Sequence, residues 1–153
     1  MKLLFVCTGN TCRSPMARAI AAEMLADSNL KGYVVDSAGV MAIDGCCASQ
    51  GTIQALEQIG LDASKHESKP LTAQLVSESD IILTMTQSHK EAVCNRFSEF
   101  QNKVHVLSEY AGKFGSIPDP FGQSLGVYVE CRNCLSEYIQ NILETRSTSE
   151  VSK

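Results

Sequence analysis

Apolar residues along this chain alternate between two patterns, short continuous runs and four-residue repeats, and the two take turns from one end to the other. Residues 2–6 are a brief run ending in Leu3, Leu4, Phe5 and Val6, the length of a buried strand. From 15 to about 27, Met16, Ile20 and Met24 recur on one helical face, and Ser28, Asn29 and Gly32 stop the repeat. Residues 33–35 read as a second strand broken by Asp36, Ser37, Ala38 and Gly39. After a loop over 40–48, Ser49 caps a helix that Gly60 ends. A polar stretch over 64–70 leads to Thr72, which caps a short helix through 78. Residues 81–85 give a third strand, 87–97 a helix and 104–107 a fourth strand. A long loop then carries Gly112, Gly115, Pro118, Asp119, Pro120 and Gly122. The last helix is expected over 124–145, with Leu125, Val129, Leu135, Tyr138, Ile139 and Ile142 for the core.

Strands alternating with helices predict an α/β fold: one domain over 1–146, built on a four-stranded parallel sheet with helices on both faces, followed by a frayed polar tail over 147–153. In such folds ligands sit beyond the carboxyl ends of the strands. The chain's 153 residues, 44% hydrophobic, suit one core. A formal net charge of −4 without a basic stripe argues against nucleic acid or an anionic membrane as partner. No apolar run approaches the roughly 20 residues of a membrane span, and no signal-peptide pattern opens the sequence, so a cytoplasmic location is expected. Seven scattered cysteines do not form a secreted disulfide framework, and most are expected as thiols.

Between the first strand and the first helix lie Cys7, Thr8, Gly9, Asn10, Thr11, Cys12 and Arg13, then Ser14 and Pro15. A group that attacks phosphorus needs a thiolate, donors around the phosphoryl oxygens and a fixed cation, and this loop supplies all three. Gly9 is expected to turn the loop with positive φ, so that backbone N–H groups form an anion-binding nest. Arg13 reaches over that nest with a planar, bidentate grip. Ser14 is expected to cap the following helix and Pro15 to begin it, aiming the helix's positive end at the bowl. The same Cys-to-Arg spacing recurs from Cys12 to Arg18, but that match crosses Pro15 into the helix and cannot form a cradle.

A leaving group needs a proton, and the loop holds no acid. Asp119, between Pro118 and Pro120, is one source, with Phe121 as an apolar wall; an ordinary turn aspartate is the other reading of the same residues. His66, in a polar loop, either supports the cradle from behind or is a plain loop residue. His89, among Gln87, Ser88 and Lys90, is expected in solvent, and His105 as a structural histidine in a strand. Cys131 and Cys134 fall inside the last helix with no second pair at ligand spacing, so no metal is expected. Cys12 is a second thiol close enough to trap an oxidised Cys7 as a disulfide, which makes the nucleophile redox-sensitive.

The loop, with Ser14 and Pro15 behind it, resembles the low-molecular-weight protein tyrosine phosphatases over nearly the whole chain. Ser37, Ala38 and Gly39 match a signature after the family's second strand, and Asp119, Pro120 and Phe121 match its general-acid loop. The resemblance implies Cys7 as nucleophile, Arg13 as phosphate clamp and Asp119 as general acid. It also implies substrate contacts along Thr8, Gly9, Asn10, Thr11 and Cys12 and at Phe121, and a supporting polar network of Asn10, Ser14, Ser37 and His66. Tyrosine phosphatases of this group usually carry Ile or Leu where this chain has Thr11, and often an aromatic where it has Met41, Ala42 and Ile43. Thr11, together with Leu71, Thr72 and the stretches 79–86 and 117–122, is similar to the bacterial protein-arginine phosphatases. The expected function is hydrolysis of phosphoarginine in phosphorylated protein substrates through a phosphocysteine intermediate, without a cofactor. Phosphotyrosine hydrolysis is the alternative. Arsenate reductases share the fold and loop but relay a disulfide through further cysteines, and the segment after the third strand offers only Cys94. A silent phosphoprotein-binding module has no use for Cys7, Arg13 and Asp119 together.

Overall fold

In the computed structural model, which describes residues 1–151, four parallel strands form one sheet. They are β1 (Lys2–Cys7), β2 (Val34–Gly39), β3 (Ile81–Thr84) and β4 (Val104–Val106), in the order β2-β1-β3-β4. The helices are α1 (Arg13–Ala26), α2 (Gln50–Glu57), α3 (Ala73–Glu78), α4 (Gln87–Arg96), α5 (Leu107–Tyr110) and α6 (Leu125–Val151), with a 3-10 turn over Ser98–Lys103. No helix among the described residues is long and apolar enough to cross a membrane.

The strict alternation of side chains along β1 divides the core in two. Leu3, Phe5 and Cys7 point to one face, where Met16 and Ile20 of α1, Leu56 of α2 and Leu135 and Ile139 of α6 cover them. Leu4 and Val6 point to the other, against Val76 of α3 and Val93 of α4. Burial on both faces is why the strand reads as a continuous apolar run. Leu4 and Phe5 are almost wholly removed from solvent, each stabilising the fold by roughly 1.5–3 kcal/mol.

Two elements, β2 and α6, run past the ends expected of them. β2 does not break at Asp36 but runs on through Ser37, Ala38 and Gly39, because β1 offers a paired partner at each position, ending with Cys7 beside Gly39. The polar Asp36 is kept in the strand by Lys69, whose Nζ lies 2.7 Å from its Oδ1. At the other end of the chain α6 continues past 145 to Val151, with the hydroxyls of Thr145 and Ser149 bonded to carbonyls one turn back. The expected tail over 147–153 is therefore helical as far as 151, and its last two residues lie outside the described ones. The short turns at Leu107–Tyr110 and Ser98–Lys103 were too brief to show a period. The caps at Ser49 and Thr72 are where their residue types predict, each accepting a backbone N–H three residues on.

Candidate active site

Cys7 is the last residue of a strand with neighbours on both sides, so the loop that follows leaves from the middle of the sheet's carboxyl edge. Helix α1 begins at Arg13, earlier than expected, and the residue before it, Cys12, makes no side-chain cap. Ser14 therefore does not cap the helix; it sits buried in the first turn with its hydroxyl turned back into the loop. Asn10 Nδ2 donates to Ser14 Oγ at 2.8 Å, and Ser14 Oγ lies 2.8 Å from Cys7 Sγ. Ser14 Oγ also donates to the Ala38 carbonyl at 3.5 Å.

The inverted backbone residue of the loop is Asn10, with φ of 56°, rather than Gly9. Asparagine is among the few side chains that tolerate this region, and here its side-chain amide and its carbonyl are all bonded. Nδ2 also donates to Ser37 Oγ at 3.0 Å, Oδ1 accepts the Lys69 amide at 3.0 Å, and the carbonyl accepts His66 Nε2–H at 2.7 Å. A carbonyl can only accept, so His66 carries its proton on Nε2. Asn10, Ser14, Ser37 and His66 thus meet in one place, with the loop's strained residue at their centre.

Gly39 explains the turn after β2. A methyl group there would stand 2.4 Å from the Thr8 carbonyl oxygen, 2.9 Å from the Asn10 nitrogen and 2.8 Å from the Ala42 side chain. Its absence lets the chain press against the loop, where the amides of Val40 and Met41 bond the carbonyls of Cys7 and Thr8, both at 2.9 Å.

Arg13 is buried, and its Nη1 donates to the Ile117 carbonyl at 3.0 Å while Nη2 lies 3.6 Å from Asp119 Oδ2. The loop ahead of α6 is thereby drawn over the cradle. Asp119 is half-exposed, and the Phe121 amide donates to its Oδ1 at 3.1 Å, so the flanking prolines do not leave the carboxylate wholly unbonded. Phe121 is exposed. Cys7, Thr8, Gly9, Thr11, Cys12, Arg13, Asp119 and Phe121 line a cavity of about 220 Å³. Every expected nucleophile, clamp, acid and substrate contact except Asn10 borders that space, and Asn10 lies buried behind it.

Behind Cys12 is a second polar cluster that the sequence reading did not foresee. Cys12 Sγ lies 3.2 Å from Ser49 Oγ and 3.6 Å from Tyr128 Oη, and the Ser49 amide and Thr52 hydroxyl donate to the Thr11 carbonyl. Tyr128 reaches this depth because α2 carries Gly51, where a Cβ would lie 2.4 Å from the ring. All seven cysteines are thiols. Burial pushes the Cys131 thiol up to about 12, which suits packing rather than chemistry. Cys94 packs on the opposite sheet face from Cys7. Among the described residues no group of three or more His, Cys, Asp or Glu is placed to hold a metal ion.

His89 is the main correction. It is buried rather than in solvent, with Nε2 2.8 Å from Thr8 Oγ1 and Nδ1 3.0 Å from Thr86 Oγ1. Its polar neighbours masked a signal that was present: Val93, one helical turn later, marks the same inward face. Burial, and then the Arg13 guanidinium, push the ring down to about 4. His105, half-buried in β4, packs against Tyr110 with ring centroids 4.8 Å apart and the planes tilted by 44°, as a structural histidine.

The family model described as low molecular weight phosphotyrosine protein phosphatase matches residues 2–152. A protein-arginine-phosphatase of Bacillus subtilis (strain 168) is 38% identical over 143 residues, covering 93% of this chain and 94% of that protein. The low molecular weight protein-tyrosine-phosphatase PtpB of Staphylococcus haemolyticus is 39% identical over 132 residues, covering 84% of this chain and 87% of its own. Among solved structures, a mutant of the YwlE arginine phosphatase with a phosphorylated active-site serine superposes with a TM-score of 0.91 at 36% identity, over 95% of each chain.

Proposed function

The chain belongs to the low-molecular-weight phosphotyrosine protein phosphatase family, and from that premise we propose that it hydrolyses phosphoarginine in proteins through a phosphocysteine intermediate. It is a phosphatase by its kinship with both named classes of relative. In this reading Cys7 Sγ attacks phosphorus, and the P–N bond breaks as Asp119 gives its proton to the departing guanidinium nitrogen. Arg13 holds phosphoryl oxygens with the N–H groups that Ile117 does not use. Water, deprotonated by the same Asp119 carboxylate, then attacks the phosphocysteine, releasing phosphate and returning the thiolate. The solved relative with a phosphorylated serine in its active site supports such a covalent intermediate.

The observation that carries the arginine reading is Thr11. The residue borders the cavity, and among the described residues its hydroxyl bonds the Cys12 thiol alone, at 3.8 Å, so it is available to a substrate. A guanidinium brings N–H donors that need acceptors, and a branched alkyl group at this position would leave one unpaired at about 1–3 kcal/mol. The partners in this reading are phosphorylated proteins, and the site of action is the cytoplasm.

The test is the release of phosphate from matched phosphoarginine and phosphotyrosine peptides in the presence of a chelator. A higher kcat/KM on phosphoarginine is expected. Faster hydrolysis of phosphotyrosine would replace the proposal with the tyrosine phosphatase reading.

A further inference from the structure

The buried ring of His89 joins two hydroxyls, one of them on the rim of the cavity. Thr8 is exposed and borders the cavity beside Cys7 and Arg13, and its Oγ1 lies 2.8 Å from His89 Nε2. On the other side of the ring Thr86, the residue capping α4, places its Oγ1 3.0 Å from Nδ1. Thr86 Oγ1 accepts the backbone N–H of His89 at 3.2 Å, and its single proton has Nδ1 as an acceptor within reach. A neutral imidazole that accepts on Nδ1 carries its hydrogen on Nε2. In that tautomer Nε2–H donates to Thr8 Oγ1, and the proton of Thr8 is left over.

We propose that His89 is a positioning residue: the Thr86–His89–Thr8 chain fixes the Thr8 hydroxyl as a hydrogen-bond donor to a phosphoryl oxygen held in the cavity. The inference rests on the phosphate-binding reading of the Cys7 loop and adds to it a side-chain donor among the backbone ones. A neutral ring is what the arrangement needs, since an imidazolium would donate from both nitrogens and turn the Thr86 hydroxyl away. The surroundings supply it: burial and the Arg13 cation disfavour protonation of the ring, and the Asp119 carboxylate opposes them less strongly. Donors given in series also strengthen one another, so a Thr8 that accepts from His89 donates more firmly.

Orthophosphate affinity, measured by calorimetry, tests this without relying on turnover. Thr8→Val is expected to weaken binding by roughly ten- to a hundredfold, the effect of one lost hydrogen bond to a charged group. His89→Phe should do the same, and the double variant Thr8→Val/His89→Phe should bind no worse than either single one, because both remove the same donor. His89→Gln keeps an amide N–H near the position of Nε2 and should bind within about twofold of the parent on the same argument. Histidine 15N spectra of the parent should show His89 protonated on Nε2. Protonation on Nδ1, additive losses in the double variant, or Thr8→Val binding phosphate like the parent would overturn the proposal. Thr8 is on the surface, so its variant folds even if His89→Phe does not. Hydrolysis of an aryl phosphate separates the two readings: a parent that binds orthophosphate yet cleaves no phosphate ester or phosphoramidate overturns the phosphatase reading, while the Thr8 result still decides this one.

Discussion

Arg13 and Asp119 face each other across the cavity with Nη2 3.6 Å from Oδ2, while a separate nitrogen of the same guanidinium holds the Ile117 carbonyl at 3.0 Å. The division matters for catalysis. Because the loop is anchored through its backbone, Asp119 is able to leave the guanidinium and reach a leaving group without the loop coming away. Asp119→Asn keeps that anchor and removes only the transferable proton. Its turnover on phosphoarginine peptides is expected to fall by about 10²–10⁴, with orthophosphate binding retained. Unchanged turnover on a poor leaving group would place the acid elsewhere.

Cys7→Ser removes the proposed nucleophile while leaving Arg13, Asn10 and the backbone cradle in place. Steady-state hydrolysis should be abolished and orthophosphate should still bind. Mass spectrometry after incubation with substrate checks for a phosphoryl group retained on the new serine. Appreciable turnover in this variant would rule out Cys7 as the attacking group.

Thr11→Ile replaces the free hydroxyl by a branched alkyl group. The expected outcome is a loss of kcat/KM on phosphoarginine by roughly ten- to a hundredfold and a gain on phosphotyrosine, from one lost hydrogen bond to a charged group. Parallel changes on both substrates would show that Thr11 does not select between them.

Gly39→Ala tests the close approach of β2 to the loop. The added methyl must displace the Thr8 carbonyl or the Asn10 amide, both backbone, so the neighbours have no flexible end to move. Denaturant melts should show a loss of about 1–3 kcal/mol, and orthophosphate should bind more weakly. A variant with parental stability and affinity would mean that the loop tolerates the shift.

His66, His89 and His105 all titrate below an ordinary histidine, with burial the leading cause in each. Unfolding therefore takes up protons between the folded and unfolded pKa values. The stability that neutral His89 confers is complete above about 6.5 and declines as pH falls from there towards about 4, where the folded ring also charges. Thermal melts between pH 7 and 4 should show a smaller loss of Tm for His89→Gln than for the parent. Equal losses would assign the slope to other groups.

The cradle was legible because its signals are local: a strand-length apolar run, a cysteine and arginine at fixed spacing, and a helical period beyond. Asp119 and His66 needed the family resemblance, since a proline-flanked aspartate and a loop histidine are ordinary by themselves. What escaped notice depends on contacts between distant segments. Gly9 looked like the residue that turns the loop, yet Asn10 turns it, because four partners from three other segments compensate the strain. The Asp36 to Gly39 stretch looked like a strand's end until β1 was placed beside it. Ser14 looked like a cap because nothing in its neighbourhood revealed that Cys7 and Asn10 would claim its hydroxyl.

The position of β1 between β2 and β3 has a consequence for synthesis of the chain. Cys7 is made before everything that shapes its surroundings: Gly39 with β2, His66 and Lys69 after α2, His89 on α4, and Ile117, Asp119 and Tyr128 later still. A central parallel strand cannot settle until both its neighbours have arrived, and such non-local pairing is slow to form. A nascent chain that has not reached these segments therefore carries the Cys7 loop and Arg13 without the side chains and carbonyl that bond them in the fold. The contacts of Arg13 with Ile117 and Asp119 close only once the segment ahead of α6 has been made.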